Sequence, residues 1–163
     1  DMGQPHLQAD EIPVLGLGKG EVIDQPLFNE STGKTYRVTC VSMGNPHCVT
    51  FVNDMKEINL PGEGPHLEVD AHFPKKANIE FVQKLGDHHF RMRVWERGTG
   101  ITMACGTGTC ATVVAAILNG LTKDYADVDL DGGTLHIEWT GNPKDHVYMT
   151  GPAVKAFEGD YDL

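Results

Sequence analysis

The stretch WERGTGITMACGTGTCATVVAAILNG, residues 95–120, decides the fold, because it ends in a helix with almost no polar face. From Thr109 to Leu118 the residues are apolar or small, and a helix that is apolar all round is buried on every side. Asn119-Gly120 supplies its stop. Thr107 or Thr109 is the predicted N-cap. The sequence therefore predicts a central helix from one of these threonines to about residue 119.

Cys105 stands directly before this helix, between small residues, and it has two interpretations. A free cysteine is most often a small core hydrophobe. A thiol beside the unpaired N–H groups of a helix N-terminus can instead be reactive, with its pKa lowered to roughly 3.5–7.5. The same N–H groups would bind a carboxylate or phosphate. Cys110 lies one turn inside the helix, and we interpret it as a core residue.

Strand patterns dominate on both sides of the helix. Runs rich in β-branched and aromatic residues occupy 34–43, 47–52, 78–85, 89–96, 126–130, 134–140 and 146–151. Turn residues between the first two runs make them adjacent strands, and Gly86-Asp87 and Asp131-Gly132-Gly133 predict two hairpins. Proline and glycine in 54–76 allow only a short helix, near His66 to Ala71.

These elements predict an α+β domain over residues 1–163. A sheet must bury its apolar face against another element, and a helix that is apolar on all sides must be surrounded by other elements. The architecture that satisfies both is a curved, mostly antiparallel β-sheet or barrel wrapped around the central helix. A chain of 163 residues is long enough for one such core.

Composition excludes several classes of function. A net charge of −10 argues against nucleic acid as a partner, and no apolar run approaches the roughly 20 residues of a membrane span. The four cysteines form no CxxC pairs, which favours a reducing cytoplasm. They and His88-His89 also lack the spacing of zinc ligands, so no metal is predicted.

Polar residues at strand ends are the other candidates for chemistry. In MGNPHCV (43–49), Asn45 and His47 flank a proline at the start of a strand. They are either a turn residue and a surface histidine, or part of a site. Glu96 and Arg97 end a strand just before the glycine loop, as a solvated pair or as site residues. Asn78 opens another strand, where it is either an edge residue or a ligand-binding side chain.

Together these motifs resemble the C-terminal half of the diaminopimelate epimerase family. SMGNPHCV, NIEFV, WERGTGITMACGTGTCA and MTGPAVKAFEG follow the opening DMGQP in the family's order and cover essentially the whole chain. The resemblance implies one of two similar domains that close on the substrate, each contributing a cysteine. The counterpart motif, ECGNGxR, does not occur in residues 1–163, so we expect a piece of a longer protein. Ile101 departs from the family, which more often has an acidic residue there.

The resemblance also implies roles for individual residues. Without a cofactor, one thiolate removes the α-proton and the opposite thiol returns a proton to the other face, and Cys105 is this half's thiol. Backbone N–H groups of Gly106 and Thr107 would hold the carboxylate of the reacting centre. The positions that match the family's thiol-tuning residues are His47 and Glu96. The positions that match its contacts to the distal end of LL-2,6-diaminopimelate are Asn45, Asn78, Glu96 and Arg97.

The resemblance implies two partners, the small-molecule substrate and the missing N-terminal domain with its second cysteine. Whether the chain forms a homodimer is left open. Three other functions are open: a related amino-acid racemase or isomerase, an anion-binding module without turnover, and a thiol hydrolase in which His47 is the base for Cys105. Because inversion at a carbon needs two bases, we expect the chain to be inactive alone.

Overall fold

A computed structural model of the chain describes residues 1–160, so residues 161–163 of the predicted domain lie outside the described part. The described part contains nine strands, two α-helices and one 3₁₀ turn. The strands are β1 (Gln25–Asn29), β2 (Lys34–Ser42), β3 (Pro46–Val52), β4 (Asn78–Gly86), β5 (His89–Glu96), β6 (Gly100–Ile101), β7 (Tyr125–Leu130), β8 (Gly133–Glu138) and β9 (Tyr148–Thr150). The helices are α1 (Leu60–Glu68) and α2 (Gly106–Leu118), and the 3₁₀ turn is Met55–Glu57.

All nine strands belong to one sheet in the order β1-β2-β3-β4-β5-β7-β8-β9, with β6 paired to the end of β5. Two pairings, β3–β4 and β5–β7, are parallel, and the other six are antiparallel. The sheet is open, with β1 and β9 at its edges. The α+β class, the mostly antiparallel sheet and both predicted hairpins are confirmed. The short strands β1 and β6 carry weak patterns and were not predicted.

The two helices lie on opposite faces of this sheet for a topological reason. Each parallel pair is joined by a crossover, β3 to β4 through α1 and β5 to β7 through α2. Crossovers of this kind are right-handed. Because β4 and β5 are antiparallel, the two strands joined by the second crossover run opposite to the two joined by the first. A right-handed crossover between them therefore places α2 on the opposite face from α1. The sheet is therefore covered on both sides.

Helix α2 is the centre of one core. Its residues from Gly108 to Ala116 are buried without interruption. They pack against side chains from β2 to β8, including Val41, Val82 and Ile137. The predicted central helix is confirmed, as is the core position of Cys110, which has no exposed surface. No helix among residues 1–160 is both long and apolar enough to cross a membrane.

Helix α1 covers the opposite face, and its predicted position near His66 to Ala71 was wrong. The helix begins six residues earlier because Pro61 falls in the first turn, where a proline costs no hydrogen bond. The side chain of Asn59 caps it by accepting from the N–H of Gly62, 3.3 Å away. Gly64 is required by close packing, since a β-carbon there would lie 2.6 Å from the β-carbon of Trp95.

Candidate active site

The candidate residues meet at one end of the sheet because of the strand directions. Strands β3 and β4 are parallel and start side by side, so His47 is the direct neighbour of Asn78. Strand β5 runs antiparallel to β4 and ends beside the start of β4, which places Glu96 there. The chain then passes through β6 and begins α2 at the same end. Residues distant in sequence are thus gathered around the N-terminus of the buried helix.

Cys105 is itself the N-cap of α2, in place of the predicted Thr107 or Thr109. Its backbone is extended, with φ −135° and ψ 106°, and its sulfur accepts from the N–H of Gly108 at 3.4 Å. Thr109 turns its hydroxyl back to the Cys105 carbonyl, 2.7 Å away. The helix therefore starts at Gly106, because the sulfur does the capping that a threonine oxygen usually does.

Of the two interpretations of Cys105, the structure does not support the one with a lowered thiol pKa. Burial, the largest cause, raises the pKa of Cys105 to about 11. Hydrogen bonds from Gly108 and Thr107 act in the opposite direction but are weaker. The residue is only 7% exposed, so the thiol loses most of its hydration. At neutral pH Cys105 is a thiol.

His47 is buried, with no exposed surface, so its interpretation as a surface residue is wrong. Both ring nitrogens have partners: Nδ1 lies 2.6 Å from Glu80 Oε1, and Nε2 lies 3.0 Å from Asn45 Oδ1. Asn45 donates from Nδ2 to the hydroxyl of Thr107 at 3.2 Å. That hydroxyl lies 3.7 Å from the Cys105 sulfur. A chain of polar contacts therefore joins the histidine to the thiol.

Glu80 is a part of this site that sequence reasoning missed. It lies on β4 in the NIEF motif and has no exposed surface. A glutamate in an otherwise apolar strand run, flanked by Ile79 and Phe81, was the available signal, because buried carboxylates are rare without a partner. Burial raises its pKa, although the neighbouring His47 opposes the rise.

Gly108 was missed as well. A β-carbon at this position would lie 2.8 Å from Glu80 Oε1 and 3.1 Å from the Cys105 sulfur. The carboxyl and the thiol therefore face each other across this glycine. Any side chain at the position would push one of them away.

Asn78, Glu96 and Arg97 brace the rim of the site. Asn78 donates to the carbonyl of Pro46 at 3.0 Å and accepts from the N–H of Arg97 at 2.9 Å, so its side chain ties the start of β3 to the end of β5. Glu96 accepts from the hydroxyl of Thr102. The Arg97 side chain is exposed. The structure brings all three to the same end of the sheet as Cys105.

The first turn of α2 has hydrogen-bond donors to spare. The N–H of Gly108 is taken by the Cys105 sulfur and that of Thr109 by the Cys105 carbonyl. Among the described residues, none accepts from the N–H of Gly106 or Thr107. Both residues are half-exposed. They form the kind of helix N-terminus that binds a carboxylate.

The geometry does not support a thiol hydrolase. In such an enzyme the imidazole is hydrogen-bonded to the nucleophilic sulfur. Here both nitrogens of His47 are bonded elsewhere, to Glu80 and Asn45. Nor do residues 1–160 contain a group of three or more His, Cys, Asp or Glu side chains arranged to hold a metal ion.

Comparison with known proteins agrees with this arrangement. Residues 39–156 match the family model described as diaminopimelate epimerase. Diaminopimelate epimerase 1 of Nostoc sp. is 53% identical over 160 residues, which are 98% of this chain and 56% of that protein. The diaminopimelate epimerase of Moorella thermoacetica is 52% identical over the whole chain and 57% of its own length. The chain thus spans little more than half the length of these curated relatives.

A solved structure shares the fold. The hydroxyproline epimerase of Agrobacterium vitis superposes with a TM-score of 0.50 at 18% identity, over 71% of this chain and 40% of that protein. The α+β sheet around a buried helix is therefore a fold that this chain shares with that epimerase. The family model and the curated relatives show more than the fold: the chain belongs to the diaminopimelate epimerase family.

Proposed function

We propose that this chain is the cysteine-bearing C-terminal domain of a two-domain diaminopimelate epimerase and supplies one of its two catalytic thiols, Cys105. The reaction is the interconversion of LL- and meso-2,6-diaminopimelate without a cofactor. The observation that carries the proposal is a thiol placed as the N-cap of a buried helix, beside two backbone N–H groups that have no acceptor among residues 1–160. The names of the relatives and their greater length support it.

The protonation state of Cys105 fits the role of acid. A thiol whose pKa is raised to about 11 carries its proton at neutral pH and can deliver it to a carbanion. In the forward direction a thiolate of the other domain removes the α-proton from one face. Cys105 then gives its S–H proton to the opposite face and becomes the thiolate, so the proton count of substrate and product is equal. In the reverse direction the two thiols exchange roles.

The substrate carboxylate belongs at the start of α2. The N–H groups of Gly106 and Thr107 would donate to it, and the helix dipole stabilises the negative charge that grows on the carboxylate as the α-proton leaves. Asn45, Asn78, Glu96 and Arg97 are proposed to bind the distal amino-acid end, with Arg97 for its carboxylate. His47 is proposed to tune the thiol through Asn45 and Thr107.

The surface around the thiol supports a covering domain. Ile101 and Met103, which lead to Cys105, are 43% and 63% exposed. Apolar side chains exposed beside a polar site are typical of a surface that another domain covers. Closure would exclude water and strengthen each electrostatic contact to the reacting centre.

The test is reconstitution. The 163-residue chain is mixed with a separately produced N-terminal half, and conversion of LL- to meso-diaminopimelate is followed by chiral chromatography. Exchange of the α-proton in D₂O is followed by NMR. We expect turnover from the mixture, none from the chain alone, and none from a mixture that contains Cys105→Ala. Cys110→Ala is the matched control, because this cysteine is buried in the same helix away from the site, and it should leave turnover intact.

Two results would contradict the proposal. Turnover by the isolated chain at an enzyme's usual rate would mean that it does not need a second domain. Turnover by the mixture on another amino acid, with none on diaminopimelate, would identify a related racemase instead.

A further inference from the structure

Glu80 carries an inference beyond the proposed function. Its carboxyl group is completely buried, 2.6 Å from the Nδ1 atom of the equally buried His47. Its other oxygen, Oε2, is buried and has no hydrogen-bond partner in the described part of the chain. A carboxylate in that position would bury a negative charge with one oxygen unpaired, which is costly, whereas a carboxylic acid buries no net charge.

The direction of the neighbouring hydrogen bonds is set by Asn45. Its amide nitrogen donates to Thr107, so its carbonyl oxygen faces His47 Nε2 at 3.0 Å. A carbonyl oxygen only accepts, and Nε2 must therefore carry the hydrogen. In a neutral imidazole with a hydrogen on Nε2, the Nδ1 atom is an acceptor and needs a donor. The group that faces Nδ1 is the carboxyl of Glu80.

We propose that Glu80 is a positioning residue, held as a carboxylic acid whose O–H donates to His47 Nδ1. It fixes the imidazole as the neutral tautomer with its hydrogen on Nε2. All hydrogen bonds along the chain of contacts then run in one direction, from Glu80 through the imidazole and the amide of Asn45 to the hydroxyl of Thr107.

This direction has a consequence for the thiol. The Thr107 oxygen already accepts from Asn45, so its own hydrogen is free to point at the Cys105 sulfur, 3.7 Å away. The N–H of Gly108 supplies a second donor to the sulfur. When Cys105 releases its proton, the thiolate finds two donors in place, and the neutral Glu80 across Gly108 does not repel it. The catalytic value of this arrangement rests on the proposed function, but the protonation of Glu80 does not.

The experiment reads the imidazole directly. The chain is labelled with ¹⁵N in its histidine rings, and the ring nitrogen signals of His47, assigned with the variant His47→Gln, are recorded at neutral pH. The variants are Glu80→Gln, whose amide N–H can donate in place of the acid, and Glu80→Leu, which cannot donate. The matched control is His136, which lies 2.7 Å from Asp127 in an exposed pair. Its ring signals are compared between the wild type and Asp127→Asn.

We expect His47 of the wild type to show one protonated nitrogen, Nε2, and one unprotonated nitrogen. Glu80→Gln should keep this pattern, whereas Glu80→Leu should lose the single tautomer. Two protonated nitrogens in the wild type would mean an imidazolium paired with a carboxylate and would overturn the proposal. A hydrogen on Nδ1 alone would overturn it too, as would a changed pattern in Glu80→Gln. None of these three results requires Glu80→Leu to fold.

Alkylation of Cys105 by iodoacetamide gives a second readout. Glu80→Gln should stay within about twofold of the wild-type rate, because the direction of the hydrogen bonds is kept. Thr107→Val removes the hydroxyl that donates to the Cys105 sulfur at the end of the chain of contacts, and it should slow the alkylation several-fold. A large effect of Glu80→Gln with none of Thr107→Val would overturn the proposed direction. Neither measurement uses diaminopimelate, so a failure here is distinguishable from a failure of the proposed epimerase activity.

Discussion

Gly108 is the residue whose replacement tests the packing of the site most directly. A β-carbon there would lie 2.8 Å from the buried Glu80 carboxyl, which cannot move without breaking its contact to His47. We expect Gly108→Ala to lower the free energy of unfolding by about 1–3 kcal/mol, measured by urea denaturation.

Gly106 is the matched control for this substitution. It lies in the same helical turn, but a β-carbon there would make ordinary contacts of 3.5 Å with Met149. Gly106→Ala should be neutral or mildly stabilising, since alanine favours the helix. If Gly108→Ala and Gly106→Ala lowered the free energy of unfolding equally, the close packing around Gly108 would not be the reason for a glycine there.

At Cys105 we predict a steep dependence of reactivity on pH. Since the pKa is raised to about 11, the reactive thiolate should increase about tenfold per pH unit from neutral pH to that value. Cys105 should still be the first cysteine labelled by iodoacetamide, because it is 7% exposed and the other three at most 1%. Peptide mapping after timed alkylation measures each rate. A Cys105 rate that levels off near pH 7 would instead favour the interpretation in which the thiol pKa is lowered.

Among the elements, α2 should be the most protected from hydrogen exchange. Its middle, from Gly108 to Ala116, is buried without interruption under one face of the sheet. Amides in this range should exchange only through global unfolding, whereas residues 151–160, which are exposed and lack regular structure, should exchange at once. Mass spectrometry of exchange separates the two segments. Fast exchange in the middle of α2 would contradict its role as the core of the domain.

Helix α1 depends on its cap, because two prolines and two glycines make its nine residues poor helix formers. Replacing the capping residue in Asn59→Ala should cost about 1 kcal/mol of stability. Asn53→Ala, in the exposed loop before the 3₁₀ turn, serves as the comparison and should cost little. If the two variants unfold at the same urea concentration, the Asn59 cap contributes nothing.

For the whole molecule, the carboxylates around α1 make stability sensitive to acid. Burial alone would raise the pKa of Glu68, but hydrogen bonds from Trp95, Gly98 and Lys76 outweigh it and lower the pKa below its ordinary 4.5. Such a group stabilises the fold fully above its ordinary pKa, and this contribution is lost as the pH falls through the lower, folded value. The pKa values of Glu63 and Asp70 are lowered as well, again by hydrogen bonds that outweigh burial.

We therefore expect the free energy of unfolding to fall steadily from pH 5 to pH 3. Glu68→Gln should flatten this dependence, whereas Glu30→Gln, at an exposed turn position, should leave it unchanged. Urea denaturation at several pH values measures the slope. Identical slopes for Glu68→Gln and the wild type would exclude Glu68 as a source of the acid sensitivity.

Local patterns predicted what depends on neighbours in sequence. The apolar run of α2 and the turn residues of the two hairpins identified those elements, and the motifs around Asn45, Asn78 and Cys105 contain most of the residues that the structure gathers around the N-terminus of α2. What the sequence did not reveal depends on long-range packing. The burial of His47 against Glu80 follows from the parallel pairing of β3 with β4, and the raised pKa of Cys105 follows from its burial; no local pattern encodes either. The sulfur cap is local, but cysteine is not among the usual N-cap residues.

The parallel pairing of β3 and β4 also has a kinetic consequence. His47 and Asn78 become neighbours only after the crossover through α1 has closed, and such non-local closure is slow compared with hairpin formation. During refolding the β4–β5 hairpin should form early, while the candidate site around Cys105 is assembled last. Cys105 would then keep the labelling rate of an unfolded thiol until the final phase, so pulsed alkylation of this one sulfur would time the completion of folding.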